Sequence, residues 1–282
     1  MRDKLNIDGV NVYYKGDISR GAVVFLHGGS LNGQVFREQF SQISLFPMVA
    51  IDLPGHGHSE RAADPGAVYN IPAYARLVSG LVGKLGLEDI ILAGHSLGAN
   101  IATEAAATLP SLQGLFLFSM SPFCMPPRLD LMCVPNPFLG YLVGGRLRPA
   151  EALLLAGEMV ENNGELSELL ASWILETDMA ARLSFAASLG LDHFADELCI
   201  LAHFQKPLAV LWGKTDRFIN PLYLQRLAPV SLWQNGIIEL DAGHVPQLES
   251  PGQFNTVLEA FYKHVKRQVC SDSNVCNTGN CV

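Results

Sequence analysis

An α/β fold is the expectation from this sequence of 282 residues: a mostly parallel central sheet, helices on both of its faces, and one helical insertion. Three observations carry it. Short apolar runs alternate with segments of helical spacing through the first 120 residues, the rhythm that parallel strands and crossover helices impose. That rhythm breaks between about 121 and 205, where helical segments follow one another without a strong strand candidate, and then it resumes. The third observation is Gly94-His95-Ser96-Leu97-Gly98, a serine between glycines where an apolar run gives way to helix formers.

Residues 10–14 read as an edge strand. Gly21-Ala22-Val23-Val24-Phe25-Leu26 is apolar without alternation, as in a strand buried on both faces, and stops at His27-Gly28-Gly29-Ser30. A helix is expected over about 33–45. Pro47-Met48-Val49-Ala50-Ile51 is the next strand, ending at Asp52-Leu53-Pro54-Gly55-His56-Gly57-His58-Ser59. Residues 73–85 have helical spacing. Asp89-Ile90-Ile91-Leu92-Ala93 is the strand before the serine, followed by a helix to about Leu109 and a strand over 114–118. Proline-rich turns then lead into helical segments at 150–162, 165–176 and 178–189. A strand at 207–212, a helix at 222–227, a strand at 236–240 and a helix at 253–265 complete the pattern. Residues 1–120 and 206–268 are thus expected to form the α/β core, 121–205 a helical cap over the carboxyl edge of the sheet, and 269–282 a mobile polar tail. Open α/β sheets keep their ligands at that edge.

Composition narrows the classes of function. Hydrophobic residues make up 49% and charged ones 16%, which suits a globular chain that buries a large core. A formal charge of −8, without any basic stripe, argues against nucleic acid or an anionic membrane surface as partner. Met1-Arg2-Asp3-Lys4-Leu5-Asn6 lacks the apolar segment of a secretory signal, and no run is long enough to span a bilayer, so a cytoplasmic protein is expected. The six cysteines form no CxxC pair, which favours neither a metal nor a redox centre.

The chemistry is read from strand ends. A serine at a glycine-flanked strand-to-helix turn is a nucleophile elbow, because the tight turn pushes Oγ out of the fold. A serine hydroxyl needs a base, and the base an orienting acid. Trp212-Gly213-Lys214-Thr215-Asp216 puts Asp216 just beyond one strand, and Asp241-Ala242-Gly243-His244 puts His244 just beyond the last. Asp241 is the rival acid, disfavoured because near neighbours orient each other poorly. The N–H groups of Leu97 and Gly29 are the expected oxyanion donors. Asp52 reads as a shaper of its glycine-rich turn, and His27, His56, His58 and His95 as structural or loop groups. Phe123, Tyr141, Trp173 and His193 are the expected substrate-binding residues, drawn from cap positions that could hold an acyl chain. No metal or organic cofactor is implied.

Four motifs in this order resemble the α/β-hydrolase superfamily over nearly the whole chain: His27-Gly28-Gly29, Asp52-x-x-Gly55-x-Gly57-x-Ser59, the elbow, and Gly243-His244 followed by Pro246 and Glu249. The resemblance implies an α/β-hydrolase fold and a Ser96, Asp216, His244 triad, that is, a serine hydrolase of esters or lactones acting without cofactor. Within the superfamily the chain is most similar to the N-acyl-homoserine lactonases. That similarity rests on residues 52–57, Pro126-Pro127, and Glu176-Thr177-Asp178-x-x-Ala181-Arg182. It departs from them at Gly29, where an asparagine is expected, and at Asp216, where a glutamate is. A substrate with an apolar acyl part follows, with a general carboxylesterase, a carbon–carbon bond hydrolase and a slow-turnover receptor as alternatives.

Overall fold

Alternate residues of the strand Ala22–Leu26 enter different cores: Val24 and Leu26 join one, Val23 and Phe25 the other. A strand apolar on both sides has to be covered twice, and the sheet built around it is. The computed structural model describes residues 3–161, 163–190, 194–227 and 230–277. Its strands are β1 (Asp3–Ile7), β2 (Val10–Lys15), β3 (Ala22–Leu26), β4 (Met48–Ile51), β5 (Ile90–His95), β6 (Leu112–Phe118), β7 (Leu208–Gly213) and β8 (Ile238–Leu240). They form a single sheet in the order β1-β2-β4-β3-β5-β6-β7-β8. The β1–β2 and β2–β4 pairs are antiparallel, and every later pair is parallel.

The helices are α1 (Arg37–Gln42), α2 (Pro65–Val68), α3 (Ile71–Lys84), α4 (Leu97–Ala106), α5 (Leu129–Met132), α6 (Leu139–Val143), α7 (Pro149–Met159), α8 (Gly164–Glu176), α9 (Met179–Ser188), α10 (Glu197–Ala202), α11 (Pro221–Leu224), α12 (Pro246–Glu249) and α13 (Pro251–Asn277). Helices α5 to α10 all lie between β6 and β7. Arg182, nearly buried, draws this group together by donating to the carbonyls of Gly144, Gly145 and Ile174. Asp178 ties it to the sheet: its N–H donates to Gly55 O at 2.8 Å, and its carboxylate accepts from the Tyr69 hydroxyl at 2.9 Å.

Three expectations are corrected. Val10–Lys15 is an interior strand, because the unforeseen β1 pairs with its other side. β1 is largely exposed, so hydrophobic pattern could not reveal it. Asp8-Gly9, with both residues at positive φ, makes the two-residue turn that such hairpins favour, and this was the available signal. The helix expected over 33–45 is a short 3-10 turn, Gly33–Phe36, followed by α1. Finally, α13 runs through the expected boundary at residue 268 to Asn277. Phe254, Leu258, Phe261 and Val265 recur at helical spacing and are fully buried, with the Phe254 and Phe261 rings against Phe116 of β6. Residues 278–282 lie outside those described.

Candidate active site

The turn between β5 and α4 is strained by construction. Ser96 sits at φ 51°, ψ −120°, a backbone region that non-glycine residues avoid and that clusters at functional sites. Its neighbours must be small: a Cβ on Gly94 would strike Ala99, and one on Gly98 would strike the carbonyl oxygens of Leu26 and His27. Serine commonly caps the helix it opens, yet the Ser96 side chain makes no capping bond. The hydroxyl is left to the adjoining cavity, beside the first N–H groups of α4.

β7 and β8 deliver the other two groups. The Asp216 carboxylate is buried and held from two sides. Its Oδ1 accepts from the N–H of Phe218 at 2.8 Å and of Ile219 at 3.2 Å, while Oδ2 lies 2.8 Å from His244 Nδ1. With Nδ1–H committed to a carboxylate, His244 carries its lone pair on Nε2. The backbone of His244 is fixed as well. Its N–H donates to Met159 O at the end of α7 (2.8 Å), and its carbonyl accepts from His95 Nε2 (2.7 Å). Glu249 clamps the same loop: its carboxylate accepts from the N–H groups of Gly243, Val245 and Glu161. Burial pushes the Glu249 carboxyl upward. Asp241 is elsewhere, exposed, with its carboxylate on Lys214 and Gln253.

The loop after β3 rests on neutral histidines. His27 donates through Nδ1 to Gly28 O at 2.8 Å and accepts from Leu53 N–H at 3.0 Å. His56 donates to Pro54 O, and its Nε2 accepts from Ser30 N–H. Burial pushes His27 down to about 4 and His56 to about 3, so both stay uncharged at neutral pH. Asp52, fully buried, accepts from Gly33 N–H, His58 N–H and Asn11 Nδ2, which knits β2, the β3 loop and its own turn together. Gly29 is half-buried, and a Cβ there would meet only Leu97 Cδ2 at 3.8 Å. His58 is largely exposed at the side of Tyr13, and His203 sits on the surface.

Ser96, Leu97, Gly29 and His244 all line one cavity of about 380 Å³. Most of its remaining wall is apolar, with Leu31, Met120, Met132, Leu142, Met159, Phe185 and Ile219 among the lining residues, interrupted by the polar His95, Asn100 and Ser121; among the described residues no Asp, Glu, Lys or Arg lines it. Phe123 also lines it. Tyr141 packs with the second core cluster while its neighbours Gly140 and Leu142 face the cavity, and Trp173 is buried in that same cluster. His193 lies outside the described residues. Sequence reasoning passed over Asn100, which lines the cavity one helical turn beyond Ser96; a polar residue amid the alanines of α4 was the available signal. A second cleft of about 540 Å³, beside Arg128, Asp196 and Arg226, contains none of Ser96, Asp216 and His244. No helix among the described residues is long and apolar enough to cross a membrane.

A sequence model described as "Alpha/beta hydrolase family" matches residues 23–257. Pimeloyl-acyl-carrier-protein methyl ester esterase of Stenotrophomonas maltophilia is 26% identical over 85% of this chain and 92% of its own length. A 2-hydroxy-6-oxononadienedioate/2-hydroxy-6-oxononatrienedioate hydrolase of Pseudomonas putida is 28% identical over 90% and 93%. Among solved structures, a point mutant of the N-acyl homoserine lactonase AidH complexed with N-hexanoyl homoserine is similar at a TM-score of 0.80. It is 26% identical, over 93% of this chain and 96% of that one.

Proposed function

The chain belongs to the alpha/beta hydrolase family, and on that basis we propose that it is a serine hydrolase of carboxylic esters or lactones whose acyl part is apolar. The observation that carries this reading is the 2.8 Å contact between Asp216 Oδ2 and His244 Nδ1, on a histidine that shares a cavity with the strained Ser96. His244 Nε2 takes the Ser96 proton as Oγ attacks the carbonyl carbon. Asp216 holds the tautomer and offsets the imidazolium charge. The oxyanion is met by the N–H of Leu97 and of Gly29, each contributing about 3 kcal/mol in the transition state. His244 returns the proton to the leaving oxygen. Water, deprotonated by the same histidine, then releases the acid from the acyl-enzyme.

Residues 121–205 act as a cap over this cavity, since α5, α6, α7 and α9 all contribute to its wall. A wall that is mostly apolar and, among the described residues, without Asp, Glu, Lys or Arg favours a neutral acyl chain. An N-acyl-homoserine lactone is the leading specific substrate, supported by the similarity to AidH. The Pseudomonas putida relative favours a second reading, hydrolysis of a carbon–carbon bond by the same three residues.

Steady-state hydrolysis of matched p-nitrophenyl esters, N-acyl-homoserine lactones and a vinylogous diketone acid, with Ser96→Ala as control, tests the assignment. Ser96-dependent turnover favouring lactones is expected. Preference for simple esters makes the protein a carboxylesterase, preference for the diketone acid a carbon–carbon hydrolase, and a single stalled turnover a ligand receptor. Turnover that survives Ser96→Ala overturns the reading.

A further inference from the structure

We propose that the Asn100 side-chain carbonyl is the substrate-selecting group of this site, accepting a hydrogen bond from an N–H on the carbon next to the scissile carbonyl. The substrate class is then the α-acylamino ester or lactone. This deepens, and rests on, the serine-hydrolase reading above.

The orientation of the Asn100 amide is fixed from behind. Its Nδ2 donates to Ser121 O at 3.1 Å and to Glu197 Oε2 at 2.7 Å, which uses both protons. Turning the amide over would set Oδ1 against the Ser121 carbonyl, which has no proton to give. Oδ1 accepts no hydrogen bond from the described residues, and it is not among the fully enclosed polar atoms. It is therefore the polar atom of Asn100 left to the cavity that this residue lines.

Glu197 is the supporting group. It is fully buried at the start of α10, and its Oε2 also accepts from Phe123 N–H at 3.0 Å. One carboxyl thus joins the helix that follows the nucleophile, the strand exit at Phe123 and the end of the insertion. Burial pushes it up to about 8, so near neutral pH the low-dielectric site mostly holds an uncharged acid. A buried polar assembly of this cost is hard to explain as packing alone, since leucine at 100 would fill the same space.

Position decides the ligand chemistry. Asn100 N–H bonds to Ser96 O at 3.3 Å, which sets the two residues one turn apart on the same cavity wall. A donor that meets Oδ1 has to sit close to the attacked carbon, and an amide nitrogen one carbon removed from the scissile carbonyl does. Competing acceptors are few. The Ser121 hydroxyl donates to Met132 O, His95 turns Nε2 to His244 O and Nδ1 toward Gly28, and the rest of the wall is apolar. With Ser96 and His244 engaged in the chemistry, an Asn100 Oδ1 that meets no donor on the substrate loses that bond, and discrimination follows.

The test compares N-hexanoyl-homoserine lactone with the analogue in which CH2 replaces the amide N–H, using p-nitrophenyl hexanoate as an independent substrate. The readout is the ratio of kcat/KM for the two lactones within each protein. In the wild type the N–H lactone is expected to be favoured about ten- to a hundredfold. In Asn100→Leu, or Asn100→Leu combined with Glu197→Met if the buried carboxyl prevents folding, the ratio is expected to fall to about one. Glu197→Gln, which keeps an acceptor for Asn100, retains the ratio, and Glu197→Leu lowers it. A wild-type ratio near one overturns the proposal, whether or not the variants fold, as does an unchanged ratio in a folded Asn100 variant. Ser96-dependent cleavage of the p-nitrophenyl ester without lactone turnover defeats this proposal alone. Absence of Ser96-dependent cleavage of any substrate defeats the serine-hydrolase reading beneath it.

Discussion

The His95 ring donates from Nε2 to the main-chain carbonyl of His244 at 2.7 Å, so the residue before the proposed nucleophile holds the proposed base. The two are 149 positions apart in the chain, and their rings stand 5.1 Å apart. His95 is fully buried and stacks on Phe118, and its Nδ1 has no partner among the described residues. One N–H is all that the contact uses.

His95→Phe keeps the stacking and removes that N–H. It is expected to lower kcat about tenfold to a hundredfold with little change in KM, since base misplacement of under an ångström suffices. His95→Gln, which can present an N–H in the same place, should recover part of the loss. Steady-state kinetics on one ester substrate reads both, and equal effects on kcat and KM would point to general disruption.

Asp216→Asn should lower kcat by about four orders of magnitude: its amide oxygen stays on the Phe218 and Ile219 N–H groups, so its NH2 faces Nδ1 as a donor and holds His244 in the wrong tautomer. Asp241→Asn removes a carboxylate that faces Lys214 at the surface, and activity within about twofold of wild type is expected. If the two results are reversed, Asp241 is the acid.

Two adjacent glycines should respond oppositely. A Cβ at Gly29 meets only Leu97 Cδ2 at 3.8 Å, and Gly29→Asn is expected to fold with stability within about 0.5 kcal/mol of wild type. A Cβ on Gly28 falls 2.8 Å from His95 Nδ1 and 3.2 Å from Ser96 Cβ, so Gly28→Ala should cost about 1–3 kcal/mol and most of the activity. Thermal melts and ester hydrolysis distinguish the pair.

Stability should peak near pH 6.5. His27, His56 and His95 have lowered values in the fold, the first two about 4 and 3, through burial above all. Asp52 partly offsets this at His56, while His27 and Arg182 add to it. The unfolded chain binds these protons from about pH 6.5 downward and the native chain does not. Their contribution is therefore complete above about 6.5, and for His27 and His56 it is lost as pH falls toward 3–4. Those two each cost about 1.4 kcal/mol for every unit below 6.5 over that range, and His95 acts in the same sense. Glu197 acts in the opposite sense: raised to about 8, with Glu104 and Asp196 adding to the effect of burial, it loses its contribution between about 4.5 and 8. Glu249 and Glu104, also raised by burial, act in the same sense as Glu197; below pH 6.5 the three histidines outweigh these carboxyls, and above it only the carboxyls still act. Urea titrations at several pH values should show both slopes, and Glu197→Gln should flatten the alkaline one.

Short-range chemistry was enough for much of this protein. Apolar runs without alternation marked strands that need cover on two faces, and the glycines around Ser96 marked a turn too tight for any Cβ. Both signals are local, because strand burial and backbone strain depend on a few consecutive residues. The proposed acid and base, Asp216 and His244, were legible as candidates for the same reason, each standing just past a strand end. β1 escaped because an exposed hairpin strand has no apolar pattern to read.

The order of the sheet settled the rest. It places the exits of β3, β5, β7 and β8 around one cavity. It also directs Trp173 into the core and leaves Asn100 at the cavity wall, although aromatic residues looked the better ligand contacts. Asn100 Nδ2 meets Glu197 across 97 positions of chain, and His244 meets Met159 across the junction of insertion and core. Hydrogen bonds of that kind depend on where separate elements come to rest, and no window of neighbouring residues encodes that distance.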